Sequence, residues 1–225
     1  DVSNAGEYFT IYMPDDEMKM PTNSCMKYII SHLSSHPTIC SISLSDPIHT
    51  VNVQAQWIVQ SGRENERPWF DAGLNGKGQV VSVSDTGLDV DNCYFWDKSG
   101  EVPRDGSVDL SRRKVVQYYP YKDGKDELNG HGTHTSSTIL GKRARDGETE
   151  SNGVADGIAT GAKIAFFDLA QQIGGSFYMS VPSSAFDYVG TGEKAGAKIH
   201  SASWGTQTQN HYGTLDQAMD NYLYA

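Results

Sequence analysis

The chain has 225 residues, 37% of them hydrophobic, with 23 glycines, enough for one large domain, or one domain and a smaller lobe, with many tight turns. Eighteen lysines and arginines against 28 aspartates and glutamates give a formal charge of 18 − 28 = −10. A surface of that sign repels phosphate, which argues against nucleic-acid and anionic-membrane partners, and no apolar run is long enough to span a bilayer.

Residues 1–50 differ in character from the rest. A polar opening leads to Met26–Leu33, whose apolar spacing predicts a helix ended by Pro37. Thr38–Leu44 alternates like a half-buried strand. One helix and one strand are too little for an independent domain, so 1–50 reads as the tail of a small α+β unit. The cysteines are Cys25, Cys40 and Cys93, an odd number without zinc spacing. Buried thiols and a Cys25–Cys40 bridge are equally good readings of them.

From about Val51 the pattern becomes alternating α/β. Ala55–Gln60 reads as a short helix ending at Gly62, and Arg63–Pro68 as loop. Gly76-Lys-Gly78 signals a turn before the β-rich run Gln79–Ser84. Residues 97–114 form a charged, Gly/Pro-punctuated surface excursion, followed by a strand over Lys114–Tyr119 and a helix over His131–Leu140. Lys142–Asn152 reads as loop, Ala162–Asp168 as a strand buried on both faces, Ser183–Ala195 as a helix closed by Gly196, and Lys198–Trp204 as a strand. Strands separated by helices predict a parallel sheet covered on both faces. Thr214-Leu-Asp-Gln217 reads as a capping box opening a last helix, with Leu215, Ala218, Met219, Tyr222 and Leu223 on one face. That helix reaches Ala225 without a stop signal, and Asp1 opens the chain without an initiator Met or apolar leader. The chain is therefore expected to be a piece of a longer protein.

Three short segments carry chemistry. Asp85 closes a strand in Val-Ser-Val-Ser-Asp85-Thr-Gly87, and in an open parallel sheet functional groups gather at the carboxyl ends of strands. Taken alone, a turn-forming Asp explains it better. In Asn129-Gly-His-Gly-Thr-His-Thr135, glycines on both sides of His131 leave its ring accessible. At a helix N-terminus the dipole favours the neutral imidazole that a general base needs. His134 lies one turn on; a His-x-x-His metal pair has no supporting ligand spacing, so His134 reads as a buried structural histidine. Ser201-Ala-Ser-Trp-Gly205 ends the last strand. There the backbone could accept an extended peptide by strand addition, with Trp204 walling a side-chain pocket; an ordinary strand exit with a packed Trp is an equal alternative.

In this order the three segments, Asp85-Thr-Gly87, Gly130-His-Gly-Thr-His-Thr135 and Ser203-Trp-Gly205, resemble the subtilisin-like serine proteases, as does Gly157-Ile-Ala-Thr-Gly-Ala-Lys-Ile-Ala165 with Thr160 in place of that family's proline. The likeness covers about Val51 to the end. It implies a three-layer α/β subtilisin-like fold with a mainly parallel, here incomplete, sheet over 51–225, the front of a peptidase domain. It also implies a serine endopeptidase. Asp85 would orient His131, and His131 would take the proton of a serine hydroxyl. Ser203, Trp204 and Gly205 would hold the polypeptide substrate's backbone. No Gly-Thr-Ser-Met-Ala-like turn and no Ala-Gly-Asn-like segment occurs in the chain, so the nucleophile and the oxyanion-hole Asn are expected downstream, and this stretch alone is expected to be inactive.

The resemblance further implies that 1–50 is the end of an inhibitory propeptide and that the protein enters the secretory pathway or leaves the cell. The chemistry would need no cofactor. A structural calcium is a candidate on Asp146, Glu148, Glu150, Asn152 and Asp156, although a solvated acidic loop explains these residues better. An aspartic protease is disfavoured because that chemistry needs two facing carboxylates and only one Asp-Thr-Gly is present. The alternative from another class is a non-catalytic peptide-binding protein on the same scaffold. With its sheet incomplete, the chain should expose apolar surface around Ala162–Asp168 and aggregate.

Overall fold

The computed structural model describes residues 2–5, 8–11, 23–39, 42, 55–126, 130–144, 153, 155–205 and 212–225. The chain divides into two compact units, Asp1–His49 and Thr50–Ala225. In the first, β1 (Val2–Ala5) and β2 (Tyr8–Ile11) pair antiparallel, Val2 opposite Ile11, where the sequence had suggested only a polar opening. Helix α1 (Asn23–Ser34) contains the predicted helix and closes in a turn before Pro37, with His36 N–H donating to Leu33 O at 3.0 Å. The strand expected over Thr38–Leu44, Cys40 included, lies largely outside the described residues.

The second unit opens with α2 (Ala55–Gln60), stopped by Gly62 at φ 69°. The loop expected over Arg63–Pro68 is present up to Arg67, and a short helix that the sequence did not predict, α3 (Pro68–Asp71), begins at its last residue. Proline at its first position fixes φ for the helix and sacrifices only an N–H that would have no intrahelical partner. Then come β3 (Val80–Asp85), β4 (Val115–Tyr119), α4 (His131–Leu140) and β5 (Lys163–Asp168). A hairpin of β6 (Ala170–Ile173) and β7 (Ser176–Met179), which the sequence reading does not include, follows. Helix α5 (Ala185–Glu193), strand β8 (Ile199–Ala202) and helix α6 (Thr214–Leu223) complete the unit.

Strands β3, β4, β5 and β8 form one parallel sheet in the order β4-β5-β3-β8. Alternation along the strands divides the core into two layers. Val81, Val83, Val115, Ile164 and Phe166 pack with Leu88, Phe95 and Leu140 on the α4 side. Phe167 packs with Ala185, Tyr188 and Val189 of α5 on the other. The result is three layers, helix on sheet on helix. Val83, Ile164 and Phe166 are each at most 1% exposed, and each such burial stabilises by about 1.5–3 kcal/mol.

The excursion 97–114 is not purely a surface feature. Gly106 N–H donates to Tyr118 O at 2.9 Å and Asp109 N–H to Val116 O at 2.8 Å, so it covers the outer edge of β4. Lys114 is buried, with Nζ donating to Thr160 O and Ala162 O, both at 2.8 Å. Burial pushes its pKa down to about 7.

Three expectations are corrected here. Strand β5 lies inside the sheet, so the apolar surface predicted around Ala162–Asp168 is covered; apolar side chains are exposed elsewhere, Ile199 on β8, Phe186 on α5 and Leu223 on α6 among them. The cap of α6 sits one residue earlier than predicted: Gly213 N–H donates to Asp216 Oδ2 at 2.6 Å, a carboxylate being a stronger acceptor than the Gln217 amide. Cys93 is a free, exposed thiol and not a buried one. Among the described residues, no helix is long and apolar enough to cross a membrane.

Candidate active site

Asp85 is the last residue of β3, and Asp168, its register partner, is the last of β5. Both are fully buried at the carboxyl end of the sheet. Asp168 is spent on structure: Oδ2 accepts Gly124 N–H at 2.7 Å and Oδ1 accepts Ala170 N–H at 3.0 Å. Asp85 Oδ1 accepts its neighbour Thr86 N–H at 2.7 Å, which turns the carboxylate out of the sheet, and Oδ2 accepts Thr135 Oγ–H at 3.2 Å.

His131 is the first residue of α4, and its Nδ1 lies 2.7 Å from Asp85 Oδ1. A carboxylate can only accept, so the ring proton resides on Nδ1 and the neutral imidazole keeps a lone pair on Nε2. The His131 side chain is 42% exposed while Asp85 is sealed beneath it. That combination, one nitrogen tied to a buried carboxylate and the ring open to solvent, suits a general base.

The glycines explain how the two residues come so close. A Cβ on Gly132 would stand 2.0 Å from Gly87 O, so the first turn of α4 rests directly on the Asp85-Thr-Gly87 turn. Gly87, at φ 132°, has Lys125 O 1.8 Å from the position of a Cβ. Thr86 Oγ accepts Gly132 N–H at 2.9 Å and donates to Asp126 Oδ1 at 3.2 Å. Thr133 Oγ accepts Asp89 N–H at 2.8 Å and donates to Asp126 Oδ2 at 2.5 Å. Sequence reasoning singled out neither Asp126 nor Asp168. Asp168 carried a usable signal, since it ends a strand as Asp85 does; Asp126 sits in a charged turn with no pattern around it.

Ser203 and Gly205 lie exposed just past β8, which is bordered among the described residues only by β3. Trp204 between them is half-buried. Its Nε1–H donates to Ser84 O at 2.8 Å, and its ring meets Tyr188 edge-on at 6.0 Å. The indole therefore anchors this segment to the strand that carries Asp85, in addition to whatever surface it offers a ligand. His134 is exposed, which corrects its reading as a buried structural histidine; α4 turns that face outward. Of the five candidate calcium ligands only Asp156 is described, and its Oδ1 accepts Arg143 N–H at 2.9 Å.

Residues 76–225 match the model of the subtilase family, Peptidase_S8. Two curated proteins of Dictyostelium discoideum are similar. The "Serine protease/ABC transporter B family protein tagB" is 33% identical over 208 residues, 88% of this chain. The "Serine protease/ABC transporter B family protein tagD" is 38% identical over 165 residues, 69% of this chain. The chain spans 10% and 8% of their lengths, about a tenth of these relatives. Among solved structures, the Clostridium perfringens CspB protease superposes with a TM-score of 0.46 at 18% identity, covering 70% of this chain and 36% of that one. The chain belongs to the subtilase family of serine proteases.

Proposed function

We propose that the protein containing this chain is a serine endopeptidase that hydrolyses polypeptides, with Asp85 and His131 as two members of its triad. The supporting observation is the 2.7 Å contact between His131 Nδ1 and the buried Asp85 carboxylate, beneath a ring open to solvent. In this reading His131 Nε2 takes the proton of a serine hydroxyl as its oxygen attacks the scissile carbonyl, and Asp85 stabilises the imidazolium that forms. The same proton then passes to the leaving amine. The serine and the oxyanion-hole donor come from residues outside these 225, so the chain alone is inactive. Ser203 and Gly205 pair with the substrate backbone along the open side of β8. Residues 1–50 act as the end of an inhibitory propeptide, and the protein works in the secretory pathway or outside the cell. The chemistry uses no cofactor; a calcium on the loop 146–156 would serve stability only.

The test is casein hydrolysis by the full-length protein and by its His131→Ala variant. Loss of a triad member is expected to lower kcat by about 10⁴-fold or more. Hydrolysis that survives His131→Ala undiminished would overturn the assignment.

A further inference from the structure

We infer that Asp126 is a positioning residue for the Asp85–His131 pair, setting the direction of two hydrogen bonds that lock the two segments together; its effect on turnover rests on the endopeptidase reading above. Asp126 lies between β4 and α4, five residues ahead of His131. Its two carboxylate oxygens each receive a threonine hydroxyl, Oδ1 that of Thr86 at 3.2 Å and Oδ2 that of Thr133 at 2.5 Å. Thr86 follows Asp85 directly, and Thr133 lies two residues past His131.

A hydroxyl has one proton to give. Once each threonine gives that proton to the carboxylate, its lone pairs face the other way. They face backbone amides of the opposite segment. Thr86 Oγ receives the N–H of Gly132, next to His131, and Thr133 Oγ receives the N–H of Asp89, in the turn that follows Asp85. The two segments are thus stitched in both directions, and a single carboxylate orients both stitches.

The segment carrying Asp126 is itself held. Gly124 N–H donates to Asp168 Oδ2 at 2.7 Å, which ties it to the end of β5 beside Asp85. Lys125 O lies against Gly87, where no side chain would fit. Asp126 therefore approaches from a fixed base. An ionised carboxylate is the group that can only accept. An amide at this place would offer one oxygen and one NH₂, so one of the two threonine hydroxyls would meet a donor where it now meets an acceptor, and its proton would have to turn elsewhere. The Asp126→Asn variant would keep one stitch oriented and leave the other without the acceptor that sets its direction.

The experiment compares full-length protein with its Asp126→Ala, Asp126→Asn and Thr133→Val variants. It reads peptide hydrolysis and, by mass spectrometry, amide hydrogen exchange. For Asp126→Ala, kcat should fall by about 10- to 100-fold with KM within about twofold, the signature of misplaced chemistry without lost binding. Asp126→Asn should lie between it and the natural protein. Thr133→Val added to Asp126→Ala should cost less than about twofold more, since both act on one stitch. Exchange at Gly132 and Asp89 should speed up about tenfold or more while the β5 amides keep their protection. Should Asp126→Ala fail to fold, Asp126→Asn and Thr133→Val carry the same comparison. Unchanged kcat together with unchanged exchange at Gly132 and Asp89 in a folded variant would overturn the inference. If the natural protein and His131→Ala both leave casein intact, the endopeptidase reading fails, and exchange at those two amides still decides whether Asp126 locks the segments.

Discussion

A methyl group on Gly132 would lie 2.0 Å from Gly87 O, and the obstacle is backbone that cannot swing aside. Gly132→Ala should therefore push α4 off the Asp85-Thr-Gly87 turn and stretch the Asp85–His131 contact. The expected cost is about 1–3 kcal/mol of stability, together with a loss of peptide hydrolysis larger than the loss of folded protein. The control is Gly190→Ala on α5, whose new methyl would meet only the Tyr222 ring at 3.6 Å. There, alanine's better helix propensity should leave stability unchanged or slightly higher. Thermal unfolding beside activity per folded molecule separates the two cases; equal effects at both positions would refute the close approach. Residues of this kind were readable in advance as Gly130-His-Gly132, because glycines flanking a candidate histidine already imply backbone crowding. Which backbone does the crowding was not readable, since Gly87 and Gly132 are 45 positions apart.

At the scale of elements, β8 is joined to β3 by more than its ladder. The His200 imidazole sits between two hydroxyls of β3, Nδ1 2.9 Å from Ser82 Oγ and Nε2 2.9 Å from Ser84 Oγ, with the Tyr188 ring of α5 edge-on to it. Burial lowers its pKa from 6.5 to about 4. The unfolded chain thus binds a proton at His200 below about pH 6.5, and the folded one does not until about pH 4. The stability that neutral His200 contributes is present in full above the unfolded pKa and is lost as pH falls through this window to the folded value. Lys114, lowered to about 7, is mostly protonated in both states there and adds little slope. His200→Gln should flatten the decline of unfolding free energy between about pH 6.5 and 4, measured by urea denaturation at several pH values. An identical slope in the variant would show that His200 does not carry this term.

For the whole molecule, the two outer strands of the sheet differ. The edge of β4 is covered by the excursion through Gly106 and Asp109. Strand β8 has no second neighbour among the described residues; Ile199 on it is 64% exposed, and Leu223 on α6 is 65% exposed. Unpaired strand edges beside apolar side chains favour association. The isolated 225-residue chain is expected to self-associate in sedimentation velocity and to leave casein intact. A monomer with a sharp, cooperative melt would contradict the first expectation, and casein cleavage abolished by His131→Ala would contradict the second.

Local pattern alone determined the alternation of strands and helices, the bounds of α2 and α4, and the nomination of Asp85 and His131, because periodicity, glycine placement and strand-end aspartates are properties of neighbouring residues. Tertiary structure alone decided the rest. It put β5 inside the sheet and β8 at its edge, which no local pattern encodes because strand order depends on the path of the connections. It turned His134 outward, since the side of α4 that faces the sheet is set by packing. It also brought Asp126 to Thr86 and Thr133, hydroxyls separated by 47 positions that no spacing rule connects. Hydrogen-bond direction between such groups follows from which atoms are left to accept once the chain has folded, and that is knowable only from their places in space.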